Sequence, residues 1–211
     1  MPSPWVWAPG AHVYRNTATG RFMGHTEMLA LRDTFADAMM TKSGELARRL
    51  SAGDIDLATW QKSMRTDLKT SYIDQYVLGR GGRSQMTQAD WGRVGQQLKE
   101  QYGYLGNFAR DIANGNMSEA QIAARAQLYH NSSVQAFELG HARSYGDLKL
   151  PAYPGDGSTA CRVNCRCSWN IQETEEGWDC YWTLGATERT CSDCEGRSRD
   201  WSPYQVVRRN V

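Results

Sequence analysis

The chain has 211 residues, 40% hydrophobic and 22% charged, a balance that suits a folded protein and excludes a mainly disordered one. Its formal net charge is +1: residues 1–150 carry 17 basic and 14 acidic side chains, and residues 151–211 carry 7 and 9. Neither part has the one-signed excess expected of a protein that lives on a phosphate backbone, which argues against nucleic-acid binding as the main task.

The opening "MPSPWVWAPG" has neither a basic region nor an apolar core of signal-peptide length, so no export is expected. No stretch is apolar over the roughly 18 residues that a membrane span needs, so synthesis in a reducing cytoplasm is the expectation. Residues 1–24 mix Pro, Gly, Trp and Arg without a period and predict an extended N-terminal arm. Trp5, Trp7 and Tyr14, with Phe22, are its candidate contacts, either to a neighbouring subunit or to the chain's own domain.

Four helical patterns make up a domain over 25–150. The first, near 25–51, sets Met28, Leu31, Phe35, Met39, Leu46 and Leu50 on one face, with a possible break at Gly44. Gly53 reads as its stop and Asp54 as the cap of the next helix. That second helix, near 55–78, repeats Leu57, Trp60, Met64, Leu68 and Tyr72 at three- and four-residue steps. "GRGGRSQM" (79–86) breaks it, because each interior glycine costs about 1 kcal/mol. The third starts after Thr87, with Asp90 completing a capping-box variant, and faces Trp91, Val94, Leu98, Tyr102, Leu105, Ala109 and Ile112 inward. "SEAQ" (118–121) opens a fourth with Ile122, Ala126, Tyr129 and Phe137 on one stripe, running to about residue 145. Helices of this length reach roughly 35–40 Å, so an elongated scaffold is expected.

The texture changes at Pro151. After the turn-rich "LPAYPGDGST", a period of two groups Cys165, Cys167, Trp169 and Ile171, and then Trp178, Cys180, Trp182 and Leu184. Two strands joined by "QETEEG" predict a β-hairpin in a C-terminal module, 151–211. The expected fold class is therefore mainly α: an elongated bundle of about four long helices with a small cysteine-rich β-hairpin module at the C-terminus, α+β overall.

All six cysteines lie in this module. In a reducing compartment such clustering points to metal more than to disulfides. Zinc takes four thiolate or imidazole ligands in a tetrahedron, and Cys191 and Cys194 form a C-x-x-C spaced for two of them. The second pair must come from Cys161, Cys165 and Cys167. All four histidines lie at position 141 or earlier, so a local site is all-cysteine. Buried free thiols and disulfides are the competing accounts. Cys180, between Trp178 and Trp182 on an apolar strand face, reads as core. On any of these accounts the thiols staple a thin-cored appendage that the helices do not need.

Two other chemistries fit parts of the sequence. Arg162, Arg166, Arg189, Arg197 and Arg199, with nearby tryptophans, suit a zinc-bearing nucleic-acid binder, but Glu173, Glu175, Glu176, Asp193 and Glu195 cancel their field. "HTE" (25–27) with "CSDC" (191–194) has the outline of a nucleobase deaminase. Thr190 stands where proline is expected, and His25 reads as a surface residue at a helix start.

"WQKSMRTDLKTSY", "GRGGRSQMTQADWGRVGQQLKEQYGYLGNFARDIANGNMSEAQIAARAQLYHNSSVQAFE", "DGSTACRVNCRCSW" and "TERTCSDCEGRS" together resemble the minor head proteins of tailed bacteriophages, the head-morphogenesis proteins of the phage Mu F-like group. The likeness covers roughly residues 45–200. In that group the C-x-x-C usually precedes the N-C-R-C; here it follows. A histidine often stands where this chain has Cys161. The resemblance implies a structural virion component without enzymatic activity, made in the bacterial host cytoplasm and incorporated in several copies in the head or neck. Portal and major capsid proteins, and the packaged DNA, are the implied partners. A head–tail connector or capsid cement protein would need the same surfaces. The resemblance also favours Cys165, Cys167, Cys191 and Cys194 as ligands of a structural zinc, with Cys161 as the alternative ligand.

Overall fold

The computed structural model describes residues 4–115, 117–146, 148–185 and 190–208. Its helical body is built from α1 (His25–Ser51), α2 (Leu57–Arg80), α3 (Gln88–Ala113), α4 (Glu119–Asn131) and α5 (Val134–Ser144). α2 lies at the centre, packed against α1, α3 and α5, while α4 covers α1. Trp60, Met64, Leu68, Tyr72 and Tyr76 of α2 are buried with Leu105 and Phe108 of α3 and Ala126 of α4 in one core.

The helix boundaries follow local chemistry. α1 runs unbroken through Gly44 and stops at Gly53, which takes the left-handed φ of +76°. Asp54 does not cap α2, because its N–H still bonds back to the Arg49 carbonyl of α1. Asp56 takes that role and accepts from the Thr59 N–H at 2.7 Å. At α3 the Thr87/Asp90 box forms in both directions, and Asp90 also accepts from the Tyr76 hydroxyl at 2.7 Å, which pins the end of α2 to the start of α3.

The fourth pattern is two helices. The Ser132 hydroxyl donates to the Tyr129 carbonyl and the Ser133 hydroxyl to the His130 carbonyl, both at 2.7 Å, and α4 ends there. Paired serines that bond carbonyls three residues back compete with the backbone ladder and break the axis.

The N-terminal segment is a hairpin and not an extended arm. β1 (Trp5–Ala8) pairs antiparallel with β2 (Val13–Asn16), and the pair folds back on the chain's own helices. Tyr14 donates to the Leu78 carbonyl at 3.0 Å, and Trp5 packs with Met23, Met28 and Phe137. The Trp7 indole lies on Gly81, where the close approach and a φ of +97° both require glycine.

The expected C-terminal hairpin is present as β3 (Ser168–Glu173) and β4 (Gly177–Thr183), in the register Trp169↔Trp182 and Ile171↔Cys180. Those four side chains are buried on one face. Two further elements complete the module: α6 (Ser192–Asp200) and β5 (Tyr204–Val207), which adds to β4 in the order β3-β4-β5. Trp201 stacks on Trp169 at 5.4 Å and stands edge-on to Trp182 at 5.7 Å, so indoles fill much of this second core.

α2 and α5 cross in backbone contact. A Cβ at Gly79 would collide with the Phe137 carbonyl of α5, and one at Gly140 would collide with the Tyr76 carbonyl of α2. Neither neighbour is a side-chain tip that can swing away. Gly140→Ala is therefore expected to destabilise the protein by about 3 kcal/mol or more. Gly92→Ala, at an open position of α3, should stabilise it by about 0.5–1 kcal/mol. Urea denaturation of both variants checks this; equal effects would contradict the crossing.

Candidate metal centre

Two short turns present the thiols. Cys161 leads into a 3-10 turn, Arg162–Asn164, and Cys165 caps its far end in extended conformation, so this pair flanks one tight turn. Cys191 is the N-cap of α6 and Cys194 lies in its first turn, so the second pair flanks a helix start. Cys167 follows Cys165 just ahead of β3. The segment over 165–167 lies outside the ladder, which frees it from the strand geometry that would hold C-x-C thiols apart.

The sulphurs converge. Cys161 Sγ lies 3.7 Å from Cys194 Sγ and 3.6 Å from Cys191 Sγ, and Cys165 Sγ lies 3.6 Å from Cys194 Sγ. A tetrahedron with zinc–sulphur bonds of about 2.3 Å has edges of about 3.8 Å, so these separations match what an ion would impose. The Cys167 thiol interacts with those of Cys165 and Cys194. Cys165, Cys167 and Cys194 are buried, while Cys161 and Cys191 are half-exposed. A cluster of Cys161, Cys165 and Cys194, with Cys191 and Cys167 beside it, could hold a metal ion such as zinc. Cys180 stands apart in the sheet core opposite Ile171.

The electrostatics separate the thiols. Burial raises Cys161 to about 11 and drives Cys194 up further, with the Cys165 sulphur adding to that. Cys165 is raised first by its bond with Cys167 and then by burial. Cys191 moves the other way. Burial pushes it up, but the N–H groups of Cys194 and Cys161 point at its sulphur and hold it at about 7. Amide donors at a helix start favour a thiolate, the form that binds metal.

The ligand-bearing segment is gripped from the helical body by Arg32 of α1, a fully buried side chain. Its Nη1 donates to Glu138 Oε1 at 2.7 Å and to the Cys167 carbonyl at 3.0 Å. Nη2 donates to the Arg166 carbonyl at 3.0 Å and to Asp33 Oδ2 at 3.3 Å, and Nε donates to Asp33 Oδ1 at 2.9 Å. All five N–H groups are used. Glu138 of α5, also buried, accepts from Arg32 on one oxygen and from the Trp169 N–H, at 3.1 Å, on the other. Burial raises its carboxyl above the ordinary range against the pull of Arg32. The rest of "NCRC" is used the same way: Asn131 donates to Asn164 at 2.8 Å, and Arg166 reaches Asn131 at 2.7 Å and Asp37 at 3.2 Å.

The structure brings together Cys161, Cys165, Cys167, Cys191 and Cys194, and Cys161 contacts both members of the C-x-x-C. Trp5 and Tyr14 line an open apolar cavity of about 380 Å³ with Leu31, whereas Trp7 is spent on Gly81. His25 is half-buried: its ring lies 5.7 Å from that of His141, and Nε2 lies 3.4 Å from Ser168 Oγ. Glu27 is engaged by Arg21 at 2.7 Å, so the two termini of "HTE" take part in separate contacts. Arg197 stacks on Trp182 and Trp201; Arg189 lies outside the described residues.

Sequence reasoning missed Arg32 and Glu138. The signal was available in the spacing Met28, Arg32, Ala36, Met39, which places a cation within the buried stripe of α1 in place of Leu31, now 46% exposed. Comparison with known protein families, curated proteins and solved structures gives no match.

Arg32→Met leaves Glu138 without its cation and takes the Arg32 donors from one buried and one half-buried carbonyl, and should cost about 3–5 kcal/mol in chemical denaturation. Arg32→Met combined with Glu138→Met should cost less than that single change. A neutral single variant would contradict the grip.

Proposed function

We propose that the chain is a non-enzymatic structural component of a tailed-phage virion, a minor head protein that binds portal or capsid subunits during head assembly and DNA packaging. We propose further that its thiol cluster holds a structural zinc ion through Cys161, Cys165, Cys194 and Cys191. Cys191 is the fourth ligand because it lies in contact with Cys161 and carries the thiolate-favouring amides. Cys167 is the neighbour whose carbonyl Arg32 holds.

One observation carries the reading. The segments "NCRC" and "TCSDC", which bear the resemblance to head-morphogenesis proteins, are the ones that meet at the cluster, and their polar side chains are used for internal bracing. Asn164 and Arg166 hold the helices, and Asp193 accepts from the Ala160 N–H at 2.7 Å, closing the loop ahead of Cys161. A brace of this kind keeps a small module in one shape while other polypeptides grip it. Val6, Phe22 and Leu31 are exposed on the hairpin side, and apolar surface there suits a partner.

The test is to purify tailed-phage particles from cells producing this chain and to locate it by cryo-electron microscopy and peptide mass spectrometry. The chain is expected in the head or neck, against portal or capsid subunits. Its absence from assembled particles would overturn the reading, as would turnover of a substrate by the pure chain.

A further inference from the structure

A trough of about 510 Å³ runs between α3, α4 and the 3-10 turn of the metal centre. We propose that it is a docking groove for an acidic segment of a partner polypeptide that carries a bulky apolar side chain. The inference rests on the assembly reading and deepens it by naming the chemistry of a partner.

Its walls combine two kinds of group. Tyr104, Leu128, Tyr129 and Val163 make an apolar bed, and Arg125 and Arg162 flank it. Tyr104 is 59% exposed and Leu128 is 42% exposed, so large apolar surface faces water where a partner's side chain would cover it. No carboxylate is among the described lining residues. Arg125 is held in place over the Phe108 ring at 4.5 Å and pairs with Asp111 outside the trough at 2.7 Å. Arg162 has no ion pair among the described residues, and its backbone sits at a φ of +49°, a conformation costly for a residue with a Cβ. The Arg162 guanidinium, with the Asp111-paired Arg125 across an apolar bed, complements a carboxylate beside an apolar side chain.

The charge count decides against a nucleic acid. A strand brings a phosphate at every nucleotide and selects a continuous basic track, whereas this trough offers Arg162 and an Arg125 already paired with Asp111, on a chain of net charge +1.

Arg162 and Val163 belong to the turn between Cys161 and Cys165, so one wall of the groove is set by the metal centre. Peptide capture is therefore coupled to the brace, and stripping the metal should loosen that wall.

The experiment is a nuclear magnetic resonance titration of the zinc-loaded full chain with the peptide EDFLED. The matched peptide KKFLKK and a ten-nucleotide oligothymidylate serve as the other probes. Shifts confined to the neighbourhoods of Tyr104, Leu128 and Val163 are expected with EDFLED alone. Arg162→Glu and Tyr104→Ala, both at exposed positions, should each weaken binding roughly tenfold, about 1.4 kcal/mol. Absence of shifts, equal shifts with KKFLKK, shifts with the oligothymidylate in their place, or variants that bind unchanged would each overturn the groove. Zinc content measured on the same samples keeps the claims apart. A zinc-loaded chain that ignores the peptide sinks the groove alone, and a chain that binds the peptide without metal sinks the coupling. The assembly reading stands or falls separately on the particle experiment.

Discussion

One buried guanidinium ties the two parts of this molecule together. Desolvating an arginine costs several kcal/mol unless every N–H finds an acceptor. Arg32 meets that condition with five donors spread over two carboxylates and two main-chain carbonyls. The carbonyls belong to Arg166 and Cys167, so the condition is met only when the cysteine segment lies in one register against α1 and α5. Glu138 repeats the constraint from the other side by taking the Trp169 N–H, the first inward-facing position of β3. A fork of this kind contributes more to specifying the arrangement than to net stability, since a buried ion pair roughly offsets its own desolvation.

The thiol cluster works on the same segment from the opposite end. Cys161 and Cys165 span the turn that precedes β3, and Cys191 and Cys194 span the start of α6, which otherwise touches mainly β4. An ion shared by these thiols would close a loop of about thirty residues and would hold α6 over the indole core of Trp169, Trp182 and Trp201. The stretch from Cys161 to Trp169 lies between the guanidinium and the cluster, and Arg162 and Val163 within it form a wall of the trough on α3 and α4.

The elements legible in the sequence were those governed by local chemistry and strong periods. Thr87 and Asp90 marked the start of α3, Gly53 the end of α1, and the alternation through Trp169, Ile171, Cys180 and Trp182 the inner face of the hairpin. What stayed hidden depended on partners distant in sequence. Leu31 looked like core, whereas the buried position belongs to Arg32, whose partner Glu138 lies 106 residues away. The break at Ser132 and Ser133 interrupts an otherwise good apolar stripe through hydroxyls that hydropathy does not weigh. α6 was hidden because "SDCEGRSRD" has almost no apolar face, and its register is set by Cys194 alone among its buried side chains. The N-terminal aromatics carried no period, and their hairpin owes its place to Gly81 and the Leu78 carbonyl. The resemblance put Cys167 ahead of Cys161, and spacing could not choose between them, because it does not show which thiol a 3-10 turn carries toward α6.

The central claim is that four thiolates share an ion at the join between Cys161/Cys165 and Cys191/Cys194. X-ray absorption at the zinc edge on the purified chain tests it most directly, with the metal counted by native mass spectrometry. The account predicts one zinc per chain and four sulphur neighbours at about 2.3 Å, with no nitrogen or oxygen in the shell. A metal-free chain whose cysteines all alkylate in the native state, or a shell containing light atoms, would contradict it.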